Sequence, residues 1–262
     1  MNNSLSFDRA AGYYDQTRAL PEAVVRQGMQ AILEIAGARG RILDVGTGTG
    51  RVSIPLLEAG ADLVGCDLSL PMLRRLQEKL PMARILQADA SQLPFPTAHF
   101  DAVLTVHVVH LIAPWQEALR EFQRVLRPRG VYLNVRTYAN AGASVREQMR
   151  LFWRGWVEAH GAPIHQPGVR DYQKFLDELR SMGAQLREVD VVHYSLPYTL
   201  RDEMERFRSR MYSDAWHIPD EVHEASIRAL ESWVEREYGD WDARREDEVR
   251  FVIDVGEFEG YR

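Results

Sequence analysis

The chain has 262 residues, of which 45% are apolar, so it can bury a large core, and this composition argues against intrinsic disorder. A formal net charge of −6, with scattered basic residues, disfavours a nucleic-acid substrate. The single cysteine excludes an internal disulfide, and the sequence shows neither the apolar core of a signal peptide nor a run long enough to span a bilayer. We therefore expect a cytoplasmic protein without a membrane segment.

The first part of the chain predicts helical structure. Residues 7–20 read FDRAAGYYDQTRAL, and after Pro21 the apolar residues recur at the spacing of one helix face. That face carries Val24, Val25, Met29, Ile32 and Leu33. We therefore take residues 1–37 as an N-terminal helical element.

A glycine-rich stretch follows at residues 41–50, RILDVGTGTG. Its apolar first half predicts a short buried strand, and Gly46, Gly48 and Gly50 permit positive φ angles and a close approach of a ligand to the backbone. With a helix predicted directly after it, the stretch has the pattern of a nucleotide-binding turn between strand and helix. The dinucleotide-binding fingerprint has its third glycine one position later, where Arg51 stands, so the spacing argues against NAD.

Asp67 follows the second predicted strand, about 20 residues after Gly46. An acidic residue at that point of a nucleotide-binding fold accepts hydrogen bonds from both ribose hydroxyls, because a carboxylate offers two acceptor oxygens. Asp67 could instead cap the next helix, but Ser69 is better placed for that role. We favour ribose binding, in which case Leu68 and Met72 line an adenine pocket or belong to the ordinary core.

Two further strands bring polar residues to the same edge of the predicted sheet. The third strand is followed by Asp89 and Ala90, and the fourth, residues 100–104, leads into TVHVVH. Asp89 taken alone is equally a turn residue. The histidines of the last segment, His107 and His110, have no third ligand nearby, so a metal site is a weak interpretation. Each of them is either a buried structural residue or a site residue.

The second half of the chain shows periodicity but few motifs. A helix, a turn and a fifth strand are predicted over residues 118–136. The elements predicted beyond them are helices at 144–160, 171–182, 199–212 and 219–238 and strands at 185–196 and 248–258. We interpret the helical stretches as a cap over the ligand end of the sheet. The aromatic stripe around Trp153 is more typical of core than of a substrate wall.

These motifs resemble those of the class I S-adenosylmethionine-dependent methyltransferases, in particular the small-molecule, type 11-like branch whose first motif is DVGTGTG. The match covers about half of the chain, roughly residues 7–137. Its parts are F-D-x-x-A-x-x-Y-D-x-x-R at 7–18, D-x-G-x-G-x-G at 44–50, the acidic residue at 67, an acidic and a small residue at 89–90, L-P-F at 93–95 and R-V-L-R-P-x-G at 124–130. The sequence departs from the family in a surface turn, where Arg129 stands in place of a common glycine.

The resemblance implies a single methyltransferase domain over residues 1–262. Its fold would be α/β, with a Rossmann-like, seven-stranded and mostly parallel sheet, an antiparallel last strand, helices on both faces and helical cap insertions. The parts expected are a helical lid at 1–37, a cofactor-binding half at 38–137, a substrate cap at 138–183 and 198–245, and closing strands at 184–197 and 246–258.

The cofactor implied is S-adenosyl-L-methionine, with S-adenosyl-L-homocysteine as product and no metal. The family pattern gives a lid pair, Tyr14 and Arg18, an adenine-binding pair, Asp89 and Ala90, and backbone near Val106 for the methionine part. The expected contacts are Tyr14, Arg18, Asp44, Gly46, Thr47, Gly48, Asp67, Leu68, Met72, Asp89, Ala90 and Val106. From the residues alone, Tyr14 could equally pack on the first helix and Arg18 could be solvated.

The predicted function is direct, in-line transfer of a methyl group to an O, N or C atom of a small molecule. Holding the reactants in line can supply about 7 to 11 kcal/mol, and some acceptors also need a base, for which His107, His110 and Tyr13 are candidates. One alternative is a nicotinamide oxidoreductase, which the glycine spacing opposes. Another is a tRNA or rRNA methyltransferase. The acidic net charge opposes it, and residues 105–108 read T-V-H-V at the position where methyltransferases of nucleic-acid amino groups carry an N-P-P-Y type motif. The third is a protein that binds the cofactor without transferring methyl.

Overall fold

The computed structural model describes residues 4–17, 20–37, 40–139 and 144–258, and within those ranges the chain forms nine α-helices, three short 3₁₀ helices and seven strands. The helices are α1 (Tyr14–Thr17), α2 (Glu22–Ala36), α3 (Ser53–Glu58), α4 (Leu70–Lys79), α5 (Trp115–Val125), α6 (Val145–Ala159), α7 (Tyr172–Ser181), α8 (Leu200–Arg208) and α9 (Asp220–Glu237). The strands are β1 (Arg41–Val45), β2 (Asp62–Asp67), β3 (Ile85–Gln87), β4 (Phe100–Val106), β5 (Leu126–Ala139), β6 (Ala184–Tyr198) and β7 (Arg245–Phe258). None of the helices in this described part is long and apolar enough to cross a bilayer.

The elements near the glycine loop form for local reasons. β1 is buried from Ile42 to Val45, as expected for a strand covered on both faces of a parallel sheet. α4 begins at its predicted cap, because the Ser69 hydroxyl accepts a hydrogen bond from Met72 N at 3.3 Å and Pro71 occupies the first turn. Strand and helix therefore both start where the sequence predicts.

The strands form one sheet in the order β3-β2-β1-β4-β5-β7-β6. β1 pairs in parallel with β2 and with β4, β2 with β3, and β4 with β5. The sheet is mostly parallel, with one antiparallel pair and helices on both sides, which confirms the predicted Rossmann-like fold. The strand order reverses between β1 and β4, so a crevice opens where the carboxyl ends of these two strands meet. Val45 lies opposite Thr105, which places the residues after the two strands side by side.

The chain divides into two compact units. The first consists of Met1–Arg136, Pro167–Val192 and Phe251–Arg262. Its core contains Phe122 of α5, Tyr132 of β5 and Phe175 of α7. The predicted cap, which extends to residue 183, includes the helix that forms α7. In the structure α7 belongs to the first unit instead, because Phe175 and Leu179 are buried in this core.

The second unit consists of Thr137–Gln166 and His193–Arg250. It holds α6, α8 and α9, whose buried apolar residues form a separate core. Trp153 of α6 is fully buried there, and its indole N–H donates a hydrogen bond to the Ser226 hydroxyl at 2.9 Å. The neighbouring Phe152 stacks on Trp233, with ring centroids 4.8 Å apart. The aromatic stripe of α6 therefore contributes to the core of this unit.

Candidate functional site

A cleft lies at the carboxyl ends of β1, β2 and β4, within the first unit. Its empty volume is about 700 Å³, including space open to solvent. Its walls come from the N-terminal segment, the glycine loop, the end of β2 with the start of α4, and the residues after β3 and β4. The predicted site residues that line the cleft are Tyr14, Gly46, Gly48, Asp67, Leu68, Met72, Asp89, Ala90, Val106 and His107.

The glycine loop reaches the cleft with Gly46 and Gly48, whose φ angles of +77° and +56° lie in the left-handed region. A Cβ on Gly46 would lie 2.5 Å from Val108 Cγ2, whereas one on Gly48 would have its nearest contact, Met72 Cε, at 3.4 Å. Gly46 therefore lets the loop pack against the segment after β4, and Gly48 is needed for its backbone conformation. A Cβ on Gly50 would also meet protein atoms, at 2.8 Å. Gly46 and Gly50 therefore also make room for neighbouring side chains of the protein, and Gly46 lines the cleft as well.

Asp67 joins the glycine loop to the start of α4. Its Oδ2 accepts a hydrogen bond from Gly48 N and its Oδ1 accepts one from Ser69 N, both at 2.8 Å. Burial raises the pKa of this carboxyl above its usual range, although the two N–H donors act in the opposite direction. Each carboxylate oxygen can accept a further hydrogen bond. Asp67 thus has a fixed orientation and remaining acceptor capacity at the cleft wall.

Asp44 and Thr47 lie behind the glycine loop and not at the cleft wall. Asp44 is 2% exposed, and its carboxylate accepts a hydrogen bond from the Ser53 hydroxyl, which is itself hydrogen-bonded to the Thr47 hydroxyl. Burial raises the pKa of Asp44 to about 6, even though both hydroxyls act to lower it. These residues therefore connect the end of β1, the loop and the start of α3.

Beside Asp67 the cleft wall is apolar, with Leu68, Met72 and Ala90. Asp89 lies next to this wall, and its Oδ1 accepts hydrogen bonds from Ser91 N at 2.9 Å and from the Ser91 hydroxyl at 2.8 Å. That pattern is typical of an Asx turn. Asp89 is therefore a turn residue and a cleft residue at the same time.

The three candidate bases occupy different positions. His107 lines the cleft directly after β4, where its φ of +52° is uncommon for a residue other than glycine and indicates a constrained backbone. Its backbone N–H donates a hydrogen bond to Val135 O at 3.4 Å. His110 lies in a short 3₁₀ turn, and its carbonyl accepts a hydrogen bond from Gly168 N at 3.0 Å. The Tyr13 hydroxyl is buried away from the cleft, without a hydrogen-bond partner among the described residues.

The N-terminal segment forms one wall of the cleft. Its lining residues are Ser4, Leu5, Phe7 and Tyr14. Leu5 N donates a hydrogen bond to Leu111 O at 2.9 Å, and Ala113 N donates one to the Ser4 hydroxyl at 3.0 Å. These contacts fasten the start of the segment to the residues after β4. Arg18, predicted as a second lid residue, lies outside the described residues.

Several lining residues are absent from the prediction, namely Ser4, Leu5, Phe7, Val45, Cys66, Ala88, Val108, Leu111 and Ile112. Val45 and Cys66 lie at the carboxyl ends of β1 and β2, a position that could have marked them. Ser4 and Leu5 carry no such signal, because they reach the cleft through hydrogen bonds to residues far along the chain. Among the residues that the structure describes, no group of three or more potential metal ligands occurs.

Known proteins similar to this chain include methyltransferases. Residues 43–134 match the family model described as a methyltransferase domain. An uncharacterized methyltransferase of Mycobacterium bovis is 32% identical over 209 residues, which cover 76% of this chain and 75% of that protein. The ubiquinone/menaquinone biosynthesis C-methyltransferase UbiE of Syntrophotalea carbinolica is 40% identical over 134 residues, 47% of this chain and 56% of that protein.

A solved structure supports the fold. The crystal structure of the YcgJ protein of Bacillus subtilis matches with a TM-score of 0.59 at 17% identity, over 90% of this chain and 100% of that one. The likeness in fold, the matched domain and the Mycobacterium relative point to one family and confirm the resemblance found in the motifs. The chain belongs to the class I S-adenosylmethionine-dependent methyltransferases.

Proposed function

We propose that this enzyme binds S-adenosyl-L-methionine in the cleft and transfers its methyl group to a small-molecule acceptor, releasing S-adenosyl-L-homocysteine. The observation that carries the proposal is the carboxylate of Asp67, oriented by Gly48 N and Ser69 N at the cleft wall. Two oriented acceptor oxygens beside a glycine turn are what a pair of ribose hydroxyls requires. Membership of the family supports the same cofactor.

Other cleft residues fit the remaining parts of that molecule. Leu68, Met72 and Ala90 offer apolar surface to the faces of a purine, and Asp89 offers an acceptor for its amino group. We assign the methionine part to Tyr14 and to backbone near Val106, because both line the same cleft. Asp44 and Thr47 act through the shape of the glycine loop, since they lie behind it.

The chain's own residues position the reactants and exclude water. The bound sulfonium supplies a methyl group that is already electrophilic, so no protein nucleophile is needed. The N-terminal segment closes one side of the cleft, which limits access of water to the reacting atoms. His107 is the candidate base that lines the cleft, and we assign it the proton of an acceptor hydroxyl or ammonium.

For the acceptor we propose a small molecule with apolar surface, and a quinone precursor is the first compound to test. Leu5, Val108, Leu111 and Ile112 make part of the cleft wall apolar. The Syntrophotalea relative is named for ubiquinone and menaquinone biosynthesis, and the chain spans 56% of its length. The net charge of −6 continues to disfavour a nucleic-acid acceptor.

Thermal shift tests the cofactor. S-Adenosylmethionine and S-adenosylhomocysteine at about 100 times their Kd should each raise the melting temperature by about 5 to 10 °C, and NAD should not. Stabilisation by NAD and by neither of the other two would overturn the cofactor assignment. Transfer of a radiolabelled methyl group to demethylated quinones and then to fractionated metabolites tests the acceptor. Label found in RNA and in no small molecule would overturn the acceptor class.

A further inference from the structure

The N-terminal segment is fastened at its far end to the glycine loop, at a point away from the cleft wall. Asp15 of α1, Thr49 of the loop and Lys79 at the end of α4 meet there. The Thr49 hydroxyl donates a hydrogen bond to Asp15 Oδ1 at 2.6 Å. Lys79 Nζ donates one to the Thr49 carbonyl oxygen at 2.9 Å and lies 2.6 Å from Asp15 Oδ2. We call these three residues the latch.

The latch combines a buried residue with a partly exposed ion pair. Thr49 has no exposed surface, whereas the side chains of Asp15 and Lys79 are 48% and 36% exposed. Partial burial raises the pKa of the Asp15 carboxyl, but hydrogen bonds from Lys79 and Thr49 outweigh it and lower the pKa below the usual value. The contact is thus charged at neutral pH, and it is weak enough to open because water reaches two of its three members.

Between its two fastenings the segment lies along the cleft. Ser4 and Leu5 hold one end to the residues after β4, and Asp15 holds the other end to the glycine loop. Phe7 and Tyr14, which lie between these ends, line the cleft, and their rings pack edge to face with centroids 5.9 Å apart. A ligand that passes this side of the cleft needs the segment to move. Opening the latch allows that movement without breaking the fastening at Ser4 and Leu5.

We propose that Asp15, Thr49 and Lys79 are positioning residues that hold residues 4–17 along the cleft and so set the rate at which S-adenosylmethionine and S-adenosylhomocysteine exchange. This inference rests on the proposed function, from which it takes both ligands. None of the three residues lines the cleft. Weakening the latch therefore speeds ligand entry and release together and leaves the affinity nearly unchanged. Loss of a direct ligand contact would instead raise the release rate alone.

Stopped-flow kinetics with S-adenosylhomocysteine tests the latch. Lys79→Met keeps most of the aliphatic stem and removes the ammonium group, and Arg75→Met is the matched control, since Arg75 is an α4 cation paired with Glu78. We expect Lys79→Met and Asp15→Asn each to raise both rate constants about five- to tenfold, and Arg75→Met to change neither. The rate constants of the double variant should not exceed those of either single variant, because the two substitutions remove the same contact. Unchanged rates, or a faster release alone, would overturn the proposal.

A second measurement needs no ligand. Hydrogen–deuterium exchange of peptides covering residues 4–17 in the ligand-free protein should be faster in Lys79→Met than in Arg75→Met. If the wild type fails to bind S-adenosylhomocysteine, the proposed function is wrong, and faster exchange still supports a latch on this segment. Equal exchange in the two variants overturns the latch whatever the binding result.

Discussion

Asp67 combines a structural and a proposed binding role, and substitution separates them. Asp67→Ala should lower the affinity for S-adenosylmethionine by about 2 to 4 kcal/mol, roughly thirty- to a thousandfold, because two ribose hydroxyls lose a charged partner. The change should also cost about 1 to 3 kcal/mol of folding stability, since Gly48 N and Ser69 N lose their acceptor. Titration calorimetry and urea unfolding measure the two effects.

The matched control for Asp67 lies at the other end of β2. Asp62 is a carboxylate on the same strand, where it contacts Arg41 and Arg84 and not the cleft. Asp62→Ala should leave the affinity unchanged. An Asp67→Ala variant with a wild-type circular dichroism spectrum and an affinity within about threefold of wild type would remove Asp67 as the ribose ligand.

Asp44 should make stability depend on pH. Its folded pKa of about 6 lies above its ordinary value of 3.8, so the folded protein retains a proton that the unfolded chain has lost between those values. Protonated Asp44 stabilises the fold at low pH, and this contribution is lost as the pH rises through about 6. The difference in unfolding free energy between wild type and Asp44→Asn, measured with urea, should therefore be about 1 kcal/mol smaller at pH 7 than at pH 5. A difference that is constant with pH would contradict the raised pKa.

His107 can be tested as a base without disturbing its backbone. Asn tolerates the left-handed conformation that His107 adopts at a φ of +52°, so His107→Asn should keep the loop in place. Loss of a general base typically costs about 10² to 10⁴ in rate, and we expect kcat to fall within that range while the affinity for S-adenosylmethionine is kept. His110→Asn is the control, because His110 does not line the cleft. An unchanged kcat in His107→Asn would show that His107 is not the base that takes the proton of the methyl acceptor.

The glycine loop packs closely against neighbouring side chains at Gly46 and Gly50. Gly46→Ala would place a Cβ against Val108 and impose a left-handed alanine, so we expect a loss of about 2 to 5 kcal/mol in unfolding free energy. Gly48→Ala meets only ordinary contacts and should cost about 1 to 2 kcal/mol for its backbone conformation. Gly12→Ala, which would meet nothing within 4 Å, is the control. Equal losses at Gly46 and Gly48 would show that packing against Val108 contributes nothing.

The elements also show where local patterns are sufficient and where they fail. Capping chemistry at Ser69 and the apolar run of β1 depend on neighbours in sequence, and both elements form as predicted. A local pattern is not sufficient to assign α7 to a cap. Its amphipathic pattern predicts a helix but not its packing partner, and Phe175 packs with Tyr132, more than forty residues earlier in the chain.

The cleft and the second unit are formed by separate parts of the chain. Every residue that lines the cleft belongs to the first unit. Because the second unit carries none of the cofactor motifs, we predict that exchanging residues 137–166 and 193–250 for those of a relative with another acceptor changes acceptor preference and keeps the affinity for S-adenosylhomocysteine. The exchange must include the whole unit, because Phe152 and Trp153 pack within it. Methyl-transfer assays against both acceptors, with calorimetry as control, measure the outcome. An unchanged preference would leave acceptor choice to the first unit.

The fold class, the glycine turn and the approximate place of the cleft can be predicted from the amino-acid sequence alone. These depend on local periodicity, on glycine spacing and on the rule that parallel strands present their carboxyl ends at one edge of a sheet. The sequence also selected Asp67, which ends a strand at that edge, and it named His107 as one of three candidate bases without choosing among them.

The roles of several of these residues depend on contacts that form only in the folded chain. Asp44 lies behind the loop because Ser53 and Thr47 meet it there, and Gly46 is required because Val108 packs against it. Asp15 joins Thr49 and Lys79, which lie 34 and 64 positions further along the chain. No local pattern can indicate such contacts, because they form only when the folded backbone brings distant side chains within hydrogen-bond reach.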